Sequence, residues 1–151
     1  MDDSRGKKGL LVDATDLLLG RMASLVAKCL LLGKTVTIIN AEKAVISGKR
    51  EKILEERQSI LRTRTLGSKR KSPKHPRRPD GILRLVVRRM LPMDKPRGKE
   101  AFSNLRVYIG VPGDIDVSKA ETLPEARRRE GTHVMRLEAL AKSIGWGEME
   151  E

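Results

Sequence analysis

The sequence predicts an α/β fold, and three observations carry the prediction. A short apolar run at residues 10–12 reads as a buried strand, helical periodicity takes over at Arg21, and residues 35–39 are β-branched throughout. Strand, helix and strand in this order make a βαβ unit. Its two strands lie parallel, because the helical crossover carries the chain back to the end of the sheet from which it started.

Each element has its own local reason. Leu10-Leu11-Val12 precedes Asp13, and residues 15–20 connect the strand to the helix. Met22, Leu25, Val26, Cys29 and Leu30 fall at i, i+3, i+4, i+7 and i+8, one face of a helix. Gly33 follows as a C-terminal cap that accepts the left-handed region. Cys29 thus reads as a small hydrophobe on the core face rather than a reactive thiol. Thr35-Val36-Thr37-Ile38-Ile39 suits a pleated, half-buried surface. A third short strand is expected at residues 44–46. Ser47 is then expected to cap a helix over residues 48–61 that buries Ile53, Leu54, Ile60 and Leu61.

Downstream, Asp80 is expected to cap a helix running to Leu91 and stopped by Pro92, with Ile82, Leu83, Val86, Val87, Met90 and Leu91 inward. A short helix over residues 96–105 leads into a strand at residues 106–110. Residues 112–124 form a polar connection. The cluster Arg127-Arg128-Arg129 follows, then a helix around residues 135–144 stopped by Gly145, with Trp146 folding back onto the body. A chain of 151 residues is expected to form one domain with a single core, the stretch 113–151 being a C-terminal extension.

Charge points to function. Of the 32 Lys and Arg, 13 lie between Leu61 and Arg97, where only 2 of the 20 acids fall, so this quarter carries +11 of a net charge of +12. A near-neutral body carrying such a block reads as a scaffold presenting a polyanion-binding segment. The densest part is residues 63–79. It holds Arg64, Lys69, Arg70, Lys71, Lys74, Arg77 and Arg78 with no acid, and Pro73, Pro76 and Pro79 keep it extended. Seven cations in 17 residues repel one another, and the segment has too little apolar surface to repay ordering alone. It is expected to order on a partner. Lys49, Arg50 and Lys52 crowd the start of a helix, where cations oppose the dipole at a cost of about 0.3–1 kcal/mol each. An incoming phosphate would reverse that cost. Arg84, Arg88 and Arg89 extend the positive surface. With only Phe102, Tyr108 and Trp146, the chain lacks a row of aromatic platforms for single-strand stacking, which leaves phosphates, grooves and shape as the means of binding.

Other chemistries find little support. Gly33-Lys34-Thr35 has Lys28 where a phosphate-binding loop needs its first glycine, and it precedes a strand instead of a helix. His75 and His133 have no partners at metal-ligand spacing, and His75 reads as one more polar group facing RNA. Asp13 and Asp16 read as turn residues rather than paired acid and base. No catalytic set, cofactor, metal site or small-molecule substrate is expected. Cys29 has no disulfide partner in the chain, the start Met1-Asp2-Asp3-Ser4 is unlike a signal peptide, and no apolar run approaches the ~18 residues of a membrane span. A cytoplasmic setting without a membrane partner follows as the expectation.

Several pieces in order resemble one family, the universal large-subunit ribosomal protein of family thirteen. They are Leu19-Gly20-Arg21-Met22-Ala23-Ser24 with Val26-Ala27-Lys28, then Gly33-Lys34, Ile39-Asn40-Ala41, Ser47-Gly48-Lys49, Met90-Leu91-Pro92, Arg97-Gly98 and Leu105-Arg106-Val107-Tyr108-Ile109-Gly110. Bacterial members carry a histidine-rich stretch where this chain has Val111-Pro112-Gly113-Asp114, so it is similar to the archaeal and eukaryotic branch. The resemblance implies a three-layer α/β/α fold around a four-stranded, mostly parallel sheet with an extended basic loop. It also implies a structural, non-enzymatic role at the ribosome: binding large-subunit ribosomal RNA beside neighbouring ribosomal proteins and supporting subunit assembly and translation. Taken with the charge pattern, it places RNA contact at Arg21, Lys49, Arg50, Lys52, Arg62, Arg64, Lys69, Arg70, Lys71, Lys74, His75, Arg77, Arg78, Arg84, Arg88, Arg89, Lys95 and Arg97. Most such contacts position the protein rather than read bases.

Overall fold

A computed structural model describes residues 9–147. The βαβ unit is present. Strand β1 (Gly9–Asp13), helix α1 (Leu19–Leu31) and strand β2 (Thr35–Ile39) follow in order, and β1 pairs parallel with β2 from Gly9↔Thr35 to Asp13↔Ile39. The chain next passes through a 3-10 turn (Ala41–Lys43), strand β3 (Val45–Ser47) and helix α2 (Arg50–Arg62). Helices α3 (Pro79–Arg89) and α4 (Pro96–Ser103) precede strand β4 (Leu105–Val107), which adds parallel to the other edge of β2. Strand β5 (Val134–Arg136) and helix α5 (Leu137–Ser143) complete the order.

The sheet has three strands, β1-β2-β4, where four were expected. The anticipated third strand does form, one residue later, but outside this sheet. Asn40 adopts a left-handed conformation (φ 54°) and the 3-10 turn diverts the chain, so β3 pairs antiparallel with β5 in a two-stranded ribbon. At the free edge of β1 the next position is filled by one bridging residue. Glu121 donates its N–H to the Leu11 carbonyl at 2.8 Å and accepts from Asp13 at 3.4 Å.

The core collects between sheet and helices. Helix α1 buries Leu19, Met22, Ala23, Val26, Ala27 and Leu30, so its buried stripe runs one position to the side of the expected face and leaves Leu25 and Cys29 half-buried at its margin. Val12, Val36, Ile38 and Leu105 join this stripe from the sheet, and helix α3, which buries Ile82, Leu83 and Val87, packs against both α1 and β4. Leu137 and Leu140 extend the core under α5. Met90, expected inside, is the exposed cap residue of α3, whereas Leu91 is buried. Trp146 is half-buried just past α5, its backbone N–H donating to the Ala141 carbonyl at 2.9 Å and closing the helix end.

Helix starts differ from expectation for identifiable reasons. Ser47 is drawn into the β3–β5 ladder opposite Val134, so Lys49 becomes the residue before α2 and offers no side-chain cap. Pro79 occupies the first turn of α3, where its missing N–H costs nothing, so Arg78 precedes the helix and Asp80 lies inside it. The last helix is shorter than expected because residues 134–136 are claimed by the ribbon.

The entry to α4 depends on close backbone approach. A Cβ at Gly98 would overlap the Pro92 carbonyl, a backbone group that cannot swing aside. Gly98→Ala is expected to destabilise the protein by about 1–3 kcal/mol, the range of overpacking in a dense interior. Urea unfolding would show this as a lower midpoint at unchanged slope, and an unchanged midpoint would mean that α4 can shift without cost.

Candidate RNA interface

The βαβ body mounts two groups of cations. The first runs from the start of α2 through the 63–79 segment to α3. Helix α2 buries only Ile53 fully and leaves Leu54, Arg57, Ile60 and Leu61 half-buried, so it projects from the body with most of its charged surface free. Lys49, Arg50 and Lys52 are exposed at its start, and Arg62 is exposed at its end.

Residues 63–79 are not uniformly extended. A 3-10 turn forms at Lys69–Lys71, and Ser72 folds the segment on itself by accepting from the Thr65 N–H at 3.2 Å and donating to the Ser68 carbonyl at 3.3 Å. Its second half docks. Arg57 Nη2 donates to the Pro76 carbonyl at 3.1 Å, and Pro79 is buried. This presents Arg64, Lys69, Arg70, Lys71 and Lys74 outward, and none has an acidic partner among the described residues.

Other predicted residues are held by the fold. Arg78 Nε pairs with Asp80 at 3.2 Å. The Arg77 guanidinium packs over Gly145 at the C-terminal end of α5, within 2.9 Å of where a Cβ would be. Arg84 lies over the Phe102 ring, 5.0 Å from its centroid. Arg97 Nη2 donates to the Leu31 carbonyl at the end of α1 at 3.3 Å, where a cation also complements the helix dipole. Arg88 and Lys95 are exposed, and Arg89 is exposed beside Arg57. His75 is half-buried, with Nε2 enclosed and without a protein partner. Arg21 stands apart from this group, exposed at the start of α1.

Sequence reasoning missed two features. Arg57 is half-buried, its Nε has no partner, and both burial and the Arg89 charge push its guanidinium below the ordinary arginine value. Its signal was a lone cation on the apolar side of α2, three residues after Leu54. The second feature is Arg127-Arg128-Arg129, visible as a run but not placed in any site. These arginines line a cleft at the carboxyl end of β1 together with Asp13, Thr15, Asp16 and residues 130–132.

Asp13 is a turn residue, as its sequence context suggested. Burial raises its carboxyl pKa, but this is outweighed by hydrogen bonds from Thr15 N (3.0 Å), Thr15 Oγ1 (2.7 Å) and Asn40 Nδ2 (3.1 Å) and by Lys43, so the net shift is downward. Asp16 sits 4.0 Å from Arg136. No cluster of His, Cys, Asp or Glu among the described residues could hold a metal ion, and no described helix is long and apolar enough to cross a membrane.

A lowered folded pKa means that ionised Asp13 stabilises the fold above the unfolded value of 3.8, and that this contribution is lost as pH falls through the folded value. Asp13→Ala is therefore expected to cost about 1–3 kcal/mol at pH 7 and progressively less below pH 3.8, read from urea unfolding of both proteins across that range. A penalty independent of pH would show that the carboxylate charge contributes nothing.

Comparison with known proteins supplies the family. The family model for ribosomal protein L13 matches residues 7–113. The chain is 40% identical over 139 residues to the large ribosomal subunit protein uL13 of Aeropyrum pernix, covering 91% of this chain and 90% of the relative. It is 43% identical over 141 residues to that of Methanosarcina barkeri (93% and 94% covered). To that of Methanopyrus kandleri it is 49% identical over 111 residues (73% and 67% covered).

Proposed function

The chain belongs to the ribosomal protein L13 family, and from that premise we propose that it binds large-subunit ribosomal RNA chiefly through the exposed cations of α2 and the 63–79 segment. It is a structural constituent of the large ribosomal subunit, located with the ribosome in the cytoplasm and serving translation. We assign it no catalytic role.

One observation carries the RNA reading. Arg64, Lys69, Arg70, Lys71 and Lys74 project without acidic partners among the described residues, on a segment anchored at its far end by Arg57 and Pro79. An anchored arc of free cations can enter a crowded RNA surface and neutralise phosphates that would otherwise hold RNA helices apart. The engaged cations have a different job. Arg78, Arg84 and Arg97 orient the elements that carry the free ones, and their remaining donors extend the same surface. Lys49, Arg50 and Lys52 complete it at the start of α2, where a phosphate would also relieve the unfavourable placement of positive charge on the helix dipole.

In this reading the protein recognises structured RNA by shape and backbone, since its three aromatic residues cannot form a stacking row. Neighbouring large-subunit proteins are the other expected partners. Residues 63–79 act as an RNA-binding loop within the 1–151 chain, and subunit assembly is the stage at which that loop matters most.

Changing Lys69, Arg70, Lys71 and Lys74 together to Ala is expected to lower the log–log salt slope of binding to a large-subunit RNA transcript by about 3–4, with weaker hydroxyl-radical protection at discrete sites. Filter binding between 50 and 200 mM salt, roughly the range in which phosphate contacts dominate, reads the slope. A variant with the wild-type slope and footprint would remove the loop from the interface.

A further inference from the structure

The cleft lined by the C-terminal arginines is built, polar and unassigned. Its volume is about 570 Å³, and it opens at the carboxyl end of β1, the side of a parallel sheet on which α/β proteins take their ligands. Arg127, Arg128 and Arg129 line it together with residues 130–132 and Thr122. A second cleft, of about 610 Å³, adjoins it. Arg129 and Thr132 line both, and Arg21 and Ser47 lie on the second. The triplet thus reaches, through Arg129, the cleft of Arg21, the predicted RNA-binding residue at the start of α1.

The backbone beneath the triplet is fixed. Ala126 is fully buried, and its carbonyl accepts from Leu18 N–H at 2.7 Å. Arg127 bridges Leu17, and the chain then turns through Gly131 (φ 76°) into β5. The side chains above this mount are exposed, and none of the three has an ion-pair partner among the described residues. The nearby acids do not serve them. Asp13 is occupied by Thr15 and Asn40, and Asp16 faces Arg136, which leaves Glu130 against three guanidinium groups.

We propose that Arg127, Arg128 and Arg129, with Arg21 at the adjoining cleft, seat a second stretch of ribosomal RNA backbone, distinct from the stretch held by residues 63–79. The inference rests on the RNA-binding reading above and adds a separate surface to it. Arginine suits the task because its planar fork matches phosphate oxygens in pairs. RNA fits better than an acidic protein segment, since the first cleft offers no large apolar wall on which a protein side chain could anchor. The triplet lies beyond residues 7–113, the part matched by the family model, and within the span over which the chain aligns with the relatives of Aeropyrum pernix and Methanosarcina barkeri.

The test is hydroxyl-radical footprinting and salt-dependent binding of a full-length large-subunit RNA transcript with the full chain and three variants. One carries Arg127→Ala, Arg128→Ala and Arg129→Ala, one carries Lys at the same three positions, and one is the Lys69/Arg70/Lys71/Lys74→Ala loop variant. The expected result is two protected RNA segments. The triple-Ala variant loses one of them with a salt slope smaller by about 2–3, the triple-Lys variant keeps most of it, and the loop variant loses the other. Because the three side chains are exposed, the triple-Lys protein also serves as the folding control. A triple-Ala variant with wild-type protection and slope would overturn the second surface and leave the loop reading intact. If that variant instead kept its RNA footprint but lost a neighbouring protein from reconstituted particles, the RNA assignment would be overturned in favour of a protein contact. Absence of discrete protection by the wild-type chain would overturn the RNA-binding reading and this inference with it.

Discussion

The fold turns on Asn40. Among the described residues it is the one buried polar residue, and it sits in the left-handed region, a conformation that costs most L-residues about 1–2 kcal/mol and that asparagine tolerates best after glycine. Beside the turn bond that its carbonyl accepts from the Lys43 N–H, two bonds tie it to the sheet. Its side chain donates to Asp13 at the end of β1, and its backbone N–H donates to the Gly110 carbonyl just past β4. One residue thereby ties together the carboxyl ends of the three sheet strands. The reversal it imposes sends the chain out of the sheet, through the 3-10 turn and into β3. From that point α2 and the cationic segment beyond it, which carry the first proposed RNA surface, are displaced from the sheet. Had the chain continued extended past Ile39, β3 would have had no route to β5 and α2 no mount.

The electrostatics complement this architecture. A protein stabilising itself would intersperse acids among the cations of residues 61–97, and this chain places only Asp80 and Asp94 there. The fold manages the surplus in two ways. Some cations are given neutral or dipolar partners: the Phe102 ring for Arg84, the end of α1 for Arg97 and the end of α5 for Arg77. The rest are projected into solvent, where water and counterions screen them. The division separates cations that set geometry from cations left available, and only the available ones release counterions when phosphate arrives.

How much of this was legible in the sequence depended on the range of the interactions. The βαβ unit was legible because period 3.6 at Met22, Val26 and Leu30 and the β-branched run at residues 35–39 are local signals. The basic loop was legible from composition alone. The ribbon was not, because Val45 pairs with Arg136 across 91 positions and nothing near either residue announces the other. Ser47 misled for the same reason, since its distant partner Val134 outweighed its local preference for capping a helix. The missing fourth strand was an expectation carried by family resemblance, and the single bridge at Glu121 occupies that edge instead. Among the site residues, sequence could not separate free cations from engaged ones, because Phe102, Leu31 and Gly145 lie far along the chain from Arg84, Arg97 and Arg77. Arg127-Arg128-Arg129 was visible as charge, but its place at the mouth of the sheet came only with the Leu17 bridge.

Arg57 joins stability to binding. It is half-buried beneath the loop it anchors, it faces the like charge of Arg89, and its Nε lacks a partner. Each of these features raises the free energy of the folded protein without RNA. In the proposed reading, a phosphate settling over Arg89 would offset the repulsion between the two guanidinium groups. Binding and folding would then share one term, since any ligand that binds only the folded form stabilises it by mass action. In the proposed reading, the charge that strains the free fold at Arg57 and Arg89 is the charge a phosphate would neutralise.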